Sequence, residues 1–176
     1  MTAASEAVLD VADLSVEFRT DEGRVQAVRG VSYQLQRGEV LGIVGESGSG
    51  KSVTSLAVMG LLPGTARVSG SVRFTGGSGH PAEMLVASDA ALSRVRGQSI
   101  AMIFQDPMTS LNPVYTVGYQ IAEAIRAHHD LPRDVLRKQV LALLAAVSIP
   151  DPAQRVNSYP HELSGGMRQR VVIAIA

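Results

Sequence analysis

The chain has 176 residues, of which 45% are hydrophobic and 18% charged, and 16 basic residues balance 16 acidic ones. This composition argues against disorder and predicts a globular domain with a substantial core. The balanced charge gives no electrostatic case for a nucleic-acid partner, and the lack of cysteine excludes disulfides and thiolate metal sites. No apolar run approaches the roughly 20 residues that span a bilayer, and residues 1–9 lack a signal-peptide pattern, so we expect a cytoplasmic protein.

The first predicted elements are antiparallel strands. Residues 8–18 alternate well enough for a strand, a turn is predicted at 21–23, and a second strand over 25–35 would complete a hairpin. After another turn comes the short apolar run 40–44, which is typical of a buried strand.

A phosphate-binding motif follows this run. The pattern G-x-x-x-x-G-K-[S/T] is matched at every fixed position by Gly45, Glu46, Ser47, Gly48, Ser49, Gly50, Lys51 and Ser52. The segment 53–62 is helix-compatible, which supplies the strand, loop and helix that the motif requires. Its glycines would bring backbone N–H groups against phosphate oxygens, next to the positive end of the helix dipole. Lys51 is predicted to reach the outer phosphates, and the Ser52 hydroxyl to hold Mg²⁺. The alternative is a chance glycine- and serine-rich turn.

Three further elements are predicted before the middle of the chain. A strand is expected over 68–75 and a short helix over 88–96, with Ser88 as its N-cap. The apolar stretch 99–105 is predicted as a strand that ends on the amide of Gln105. Because ligand sites in open parallel sheets gather at the carboxyl ends of strands, Gln105 becomes a candidate site residue.

The remaining segments are predicted to be mainly helical. Residues 106–113 contain two prolines and are expected to form a loop, while apolar residues recur at helical spacing over 117–129 and 133–147. The segment 163–170 contains Leu-Ser-Gly-Gly, in which Ser164 occupies the position of a helix N-cap.

The phosphate loop, the glutamine after a strand, and Leu163-Ser164-Gly165-Gly166 after a helical insert resemble, in this order, the nucleotide-binding domain of an ABC transporter. The sequences of 104–113 and 159–162, together with Met167, are similar to those of ATP-binding subunits of bacterial dipeptide and oligopeptide importers, whose relatives serve nickel uptake. The resemblance implies an α/β P-loop NTPase fold with an N-terminal antiparallel β subdomain and a helical insert. Its parts would be an antiparallel β region, a P-loop core, a Q-loop with a helical subdomain, and a post-signature helix, at 1–38, 39–105, 106–165 and 166–176.

The resemblance also implies roles for individual residues. Gln105 would be the catalytic Q-loop residue and would share Mg²⁺ with Ser52. Phe18 would stack on adenine, although a structural role in the core or an edge strand is an equally good interpretation of this residue. A signature motif would cap the γ-phosphate of ATP bound to the other subunit of a head-to-tail pair, and it consists of Leu163, Ser164, Gly165, Gly166 and Met167. Met167 departs from the glutamine found at that position in many ABC proteins.

Partners and activity follow from the same resemblance. We expect ATP and Mg²⁺ as ligands, a second ATP-binding subunit, identical or different, and a solute-binding protein in the same system. Permease subunits would contact the loop after Gln105, at the cytoplasmic face of the membrane. The implied function is ATP binding and, in a full-length parent, ATP hydrolysis that powers import of peptides or related solutes.

The family pattern continues beyond residue 176 with a Walker B aspartate, a catalytic glutamate and a switch histidine. Without them, C-terminal core strands would be missing and hydrolysis by this chain alone would be severely impaired. The alternative function is therefore a non-catalytic nucleotide-binding or interaction fragment. An ABC-type ATPase that acts on DNA or ribosomes is disfavoured, because no long coiled-coil insert or paired domain is visible.

Overall fold

The computed structural model describes residues 7–20, 23–76, 82–104 and 110–176. The chain divides into two compact units, residues 1–100 and 101–176, which we call the N-terminal and C-terminal units. Gln105 and the four residues after it lie outside the described residues, as does most of the predicted turn at 21–23.

The N-terminal unit is built on an antiparallel sheet. Strands β1 (Leu9–Thr20) and β2 (Gly23–Leu35) form the predicted hairpin, which is thereby confirmed. Strand β3 (Ala66–Phe74) pairs with the other edge of β1, and the short β4 (Ala82–Glu83) pairs with β3, so the strand order is β2-β1-β3-β4. All three pairings are antiparallel.

Two helices pack with this sheet in the N-terminal unit. Helix α1 (Lys51–Val58) follows the phosphate loop directly, and α2 (Asp89–Val95) begins after the predicted N-cap Ser88, whose Oγ accepts a hydrogen bond from the Ala91 N–H at 3.3 Å. Alternation along β1 points apolar side chains to one face, where they meet those of α1 and α2. The buried core consists of Leu9, Val11, Leu14, Val16, Val28, Ala57, Val58, Val72, Phe74, Met84 and Leu92.

The strand predicted over 40–44 is not formed, and neither is the one predicted over 99–105 in its described part, 99–104, so both predictions were wrong. Residues 40–46 and 101–104 have neither helical nor strand hydrogen bonding, and Val44 is 93% exposed. An isolated parallel bridge between Arg96 and Ile100 is the pairing found there among the described residues. A strand needs a neighbouring backbone as well as apolar side chains, and no described segment supplies that neighbour to 40–44.

The C-terminal unit is helical. Its elements are α3 (Val117–Arg126), α4 (Arg133–Ala146), the single-turn α5 (Pro152–Arg155), a 3₁₀ turn (Pro160–Glu162) and α6 (Gly165–Ile175). The two helices predicted from the apolar spacing are confirmed, and each ends within a few residues of the predicted position.

A separate core holds the C-terminal unit together. Helices α3, α4 and α6 bury Ile121, Leu144 and Val171 completely. Gly118 of α3 lies so close to the Val156 backbone that a Cβ would come within 2.5 Å of the Val156 carbonyl oxygen. Among the described residues of the two units, no helix is long and apolar enough to cross a membrane.

Candidate nucleotide-binding site

The phosphate loop is shaped by two glycines in left-handed conformation. Gly48 has φ 82° and Gly50 has φ 91°, and Gly50 immediately precedes the first residue of α1. At Gly50 a Cβ would also come within 2.5 Å of the Ala27 carbonyl oxygen in β2. Only glycine meets both demands, because other residues rarely adopt positive φ and would collide with that backbone.

The side chain of Lys51 folds back over the loop. Its Nζ donates to the carbonyl oxygens of Gly45 and Glu46 at 2.7 Å each, and contacts the Ser49 Oγ at 3.2 Å. An ammonium has three donors, and these three contacts use all of them within the loop. The Lys51 ammonium therefore lies within the loop, and the structure brings three other predicted site residues, Gly45, Glu46 and Ser49, together around it.

Backbone N–H groups at the start of α1 lie beside this charge. A helix leaves its first N–H groups without intrahelical partners, and within the described ranges no acceptor is found for those of Lys51 and Ser52. Residues 41–49 and Ser52 are exposed. Open N–H groups, the helix dipole and a lysine charge together fit a polyphosphate, and the Ser52 hydroxyl in the first turn fits a Mg²⁺ ligand.

Thr54 is a contributor that the sequence pattern did not single out. It is buried, its Oγ1 donates to the Gly50 carbonyl oxygen at 3.0 Å, and its backbone N–H bonds to the same oxygen at 2.8 Å. The two bonds fix the start of α1 relative to the loop. Nothing in the spacing of the motif marks this residue, because its role depends on which way its side chain turns.

Phe18 lies in β1, opposite Val25 of β2 and Ala66 of β3. It shares a strand face with the buried Leu14 and Val16, and it packs against the core of the N-terminal unit while remaining partly exposed. Its predicted stacking on adenine stays a prediction.

The predicted signature lies at the start of α6 in the C-terminal unit. Ser164 is the N-cap, and its Oγ accepts from the Met167 N–H at 3.3 Å. Leu163 is buried and anchors the turn. Gly165 and Gly166 are exposed, and a Cβ on either would have nothing within 4 Å. The helix N-terminus is thus open to an approaching group.

Contacts on either side of Ser164 hold this turn in place. Upstream, the Glu162 carboxylate accepts from the Tyr159 N–H at 2.6 Å, and the Tyr159 and His161 rings stack with centroids 5.7 Å apart. Downstream, the Arg170 guanidinium donates to the Ser148 carbonyl oxygen at 2.7 Å, just beyond the end of α4. These contacts give His161 and Arg170 structural roles.

The glycine-rich loop that opens into α1, with its lysine and open N–H groups, defines a phosphate-loop protein. The sequence model of the family described as "ABC transporter" matches residues 28–176, and the chain belongs to that family.

Individual relatives within this family are ATP-binding proteins of peptide transport. The chain is 54% identical over 170 residues to the oligopeptide transport ATP-binding protein OppD of Mycobacterium bovis. The matched region covers 96% of this chain and 27% of the relative. The chain is 51% identical over 173 residues to the dipeptide transport ATP-binding protein DppD of Bacillus subtilis, with 97% of this chain and 50% of the relative covered. The chain thus spans between about a quarter and a half of the length of these relatives, and the predicted resemblance to peptide importers is confirmed.

A solved structure shares the fold. The dimeric post-hydrolysis state of the ATP-binding cassette MJ0796, bound to ADP and Pi, matches with a TM-score of 0.78 and 25% sequence identity, covering 95% of this chain and 68% of that one. The predicted ABC ATPase fold class, with an N-terminal antiparallel sheet and helices after it, is confirmed.

Proposed function

We propose that this chain binds ATP through residues 45–52 and that the whole protein uses ATP hydrolysis to drive import of peptides or related solutes. The observation that carries the proposal is the Lys51 ammonium, held over a loop whose neighbouring N–H groups are open to an anion. The relatives named for oligopeptide and dipeptide transport support the class of cargo.

Each part of the loop would take a distinct share of the binding. The N–H groups at the start of α1 would donate to the β- and γ-phosphate oxygens, and Lys51 would exchange its contacts with Gly45 and Glu46 for phosphate oxygens. The Ser52 hydroxyl and the Gln105 amide would hold Mg²⁺, which would neutralise charge on the phosphates. Phe18 would supply a stacking surface for adenine.

The signature segment would act on a second nucleotide. Leu163, Ser164, Gly165, Gly166 and Met167 would cap the γ-phosphate held by another ATP-binding subunit, and the dimeric state of MJ0796 supports such a pairing. The open space at Gly165 and Gly166 would admit that phosphate close to the backbone.

The remaining assignments concern the whole protein. We propose that its permease partners contact the loop after Gln105, that a solute-binding protein delivers the cargo, and that the subunit works at the cytoplasmic face of the membrane.

The test of nucleotide binding is a titration of a fluorescent ATP analogue with Mg²⁺ against the 176-residue chain. Lys51→Ala should weaken binding at least tenfold, because a hydrogen bond to a charged group contributes about 1.5–3 kcal/mol. Lys138→Ala is the matched control, because Lys138 is exposed on α4 and its substitution removes the same charge outside the phosphate loop. Equal affinities of Lys51→Ala and Lys138→Ala would contradict the site assignment.

A further inference from the structure

The far end of α1, opposite the phosphate loop, is held by an arginine from another helix. Arg96 follows α2 directly, and its Nε donates to the Met59 carbonyl oxygen at 2.8 Å while its Nη2 donates to that of Gly60 at 2.6 Å. None of the ion pairs found within the described residues includes Arg96. The guanidinium therefore places its charge on these two carbonyl groups.

The two carbonyl groups belong to a regular helix ending. Gly60 has φ 62°, its N–H bonds to the Ala57 carbonyl oxygen at 3.0 Å, and the Leu61 N–H bonds to that of Leu56 at 2.8 Å. This pair of bonds is a Schellman motif, in which a left-handed glycine closes the last turn. Arg96 binds the carbonyl groups at the outer end of that motif.

Helix α1 depends on such support. It has eight residues and no basic residue in its last turn, so it lacks in sequence the cation that would complement its dipole. Isolated helices of this length are marginal, and their stability comes from tertiary contacts. Arg96 supplies the missing cation from 36 residues along the chain.

The position of Arg96 is itself fixed. Its N–H bonds to the Leu92 carbonyl oxygen at 2.8 Å, and a turn through Gly97, with φ 77°, returns the chain to Ile100. A Cβ at Gly60 would come within 2.9 Å of Arg96 Nη2, so the guanidinium fits closely against the turn.

We propose that Arg96 is a positioning residue for the nucleotide-binding site. By binding the C-terminal turn of α1, it keeps the helix formed and aligned, and so holds the first-turn N–H groups where the phosphates bind. The proposal rests on the proposed function of the loop at the other end of α1.

The test compares four variants of the 176-residue chain. Arg96→Ala removes both hydrogen bonds, and Arg96→Lys keeps the charge but loses the fork of donors. Arg94→Ala removes an exposed arginine from the last turn of α2, and Val72→Ala weakens the same core at a fully buried site in β3. Two quantities are measured: amide hydrogen exchange without nucleotide, and affinity for the fluorescent ATP analogue with Mg²⁺.

Arg96→Ala should accelerate amide exchange in α1 about tenfold more than in β1, and should weaken nucleotide binding about five- to tenfold. Arg96→Lys should recover part of both losses. Val72→Ala should accelerate exchange throughout the N-terminal unit without a selective effect on α1, and the folded protein should keep its affinity. Arg94→Ala should match the unaltered chain in both measurements.

Uniform acceleration in Arg96→Ala, or an affinity equal to that of Arg94→Ala, would overturn the proposal. The Lys51→Ala and Lys138→Ala pair separates this failure from that of the proposed function. If Lys51 proves irrelevant to binding, the loop assignment falls, whereas the exchange data still decide whether Arg96 holds α1.

Discussion

Two glycines lie at helix N-termini in different parts of the molecule. Gly50, in the phosphate loop, immediately precedes α1, and Gly165 is the first residue of α6. At Gly50 the chain itself demands glycine, because φ is 91° and a Cβ would come within 2.5 Å of a backbone oxygen. At Gly165 and Gly166 neither reason applies, since φ lies outside the left-handed region and nothing lies within 4 Å of a Cβ.

The difference separates two uses of glycine. In the phosphate loop, glycine builds a shape that the N-terminal unit holds by its own contacts. In the signature segment, glycine costs helix stability and the chain gains no contact in return. Such a cost is explained when another group must approach the backbone closely, which agrees with the proposed role toward a second nucleotide.

The largest expected change in the free energy of unfolding comes from a substitution that distorts the phosphate loop. Gly50→Ala should lower the free energy of unfolding by about 2–4 kcal/mol, because it combines left-handed strain with a backbone collision. Gly48→Ala is the matched control, since it has positive φ but open space, and should cost about 1 kcal/mol. Urea unfolding measures both, and equal losses would show that the contact with Ala27 has no role.

A smaller effect is expected on acidification, through Glu83 in β4. Its carboxylate accepts from the Val72 N–H at 2.8 Å and from the Ser71 hydroxyl at 2.6 Å. Burial raises the pKa of Glu83, but the hydrogen bonds from Ser71 and the backbone outweigh it and leave the pKa below its ordinary value of 4.5.

Because the folded-state pKa is lowered, this stabilisation is fully present above pH 4.5 and is lost as the pH falls through the lower, folded-state value. Urea midpoints at pH 7 and pH 3 should differ less in Glu83→Gln than in the unaltered chain. An identical pH dependence in both would contradict the assignment. Glu83 lies at the sheet edge of the N-terminal unit, so this pH dependence of stability belongs to that unit and not to the helical C-terminal unit.

The smallest expected change in stability belongs to the signature glycines. Gly165→Ala and Gly166→Ala should leave the free energy of unfolding unchanged or raise it by up to about 1 kcal/mol, because alanine favours the helix. Gly118→Ala is the control in the same unit, and should cost about 1–3 kcal/mol through its collision with Val156. A large loss at Gly165 would show that the chain itself requires this glycine.

The sequence alone predicted those features that depend on local pattern. The hairpin of β1 and β2, the N-caps Ser88 and Ser164, and helices α3 and α4 all follow from alternation, helical spacing or capping chemistry. The apolar run 40–44 misled the prediction, because periodicity reports a preference for burial and does not identify a pairing partner.

Other parts of the candidate site lay beyond sequence reasoning for a different reason. Arg96 meets Met59 and Gly60 only because α2 packs near the end of α1, and no spacing rule links positions 36 and 37 residues apart. Thr54 lies just past the motif, yet its link to Gly50 depends on a rotamer. The close approach of Gly50 to β2 likewise depends on tertiary packing.

Backbone amide chemical shifts, recorded while Mg²⁺ and ATP are titrated into the 176-residue chain, test whether ATP binds at residues 45–52. The largest shift changes should fall on Gly48, Gly50, Lys51 and Ser52, whose N–H groups would meet the phosphates. No change at these amides, or larger changes at Gly165 and Gly166 than in the loop, would contradict it.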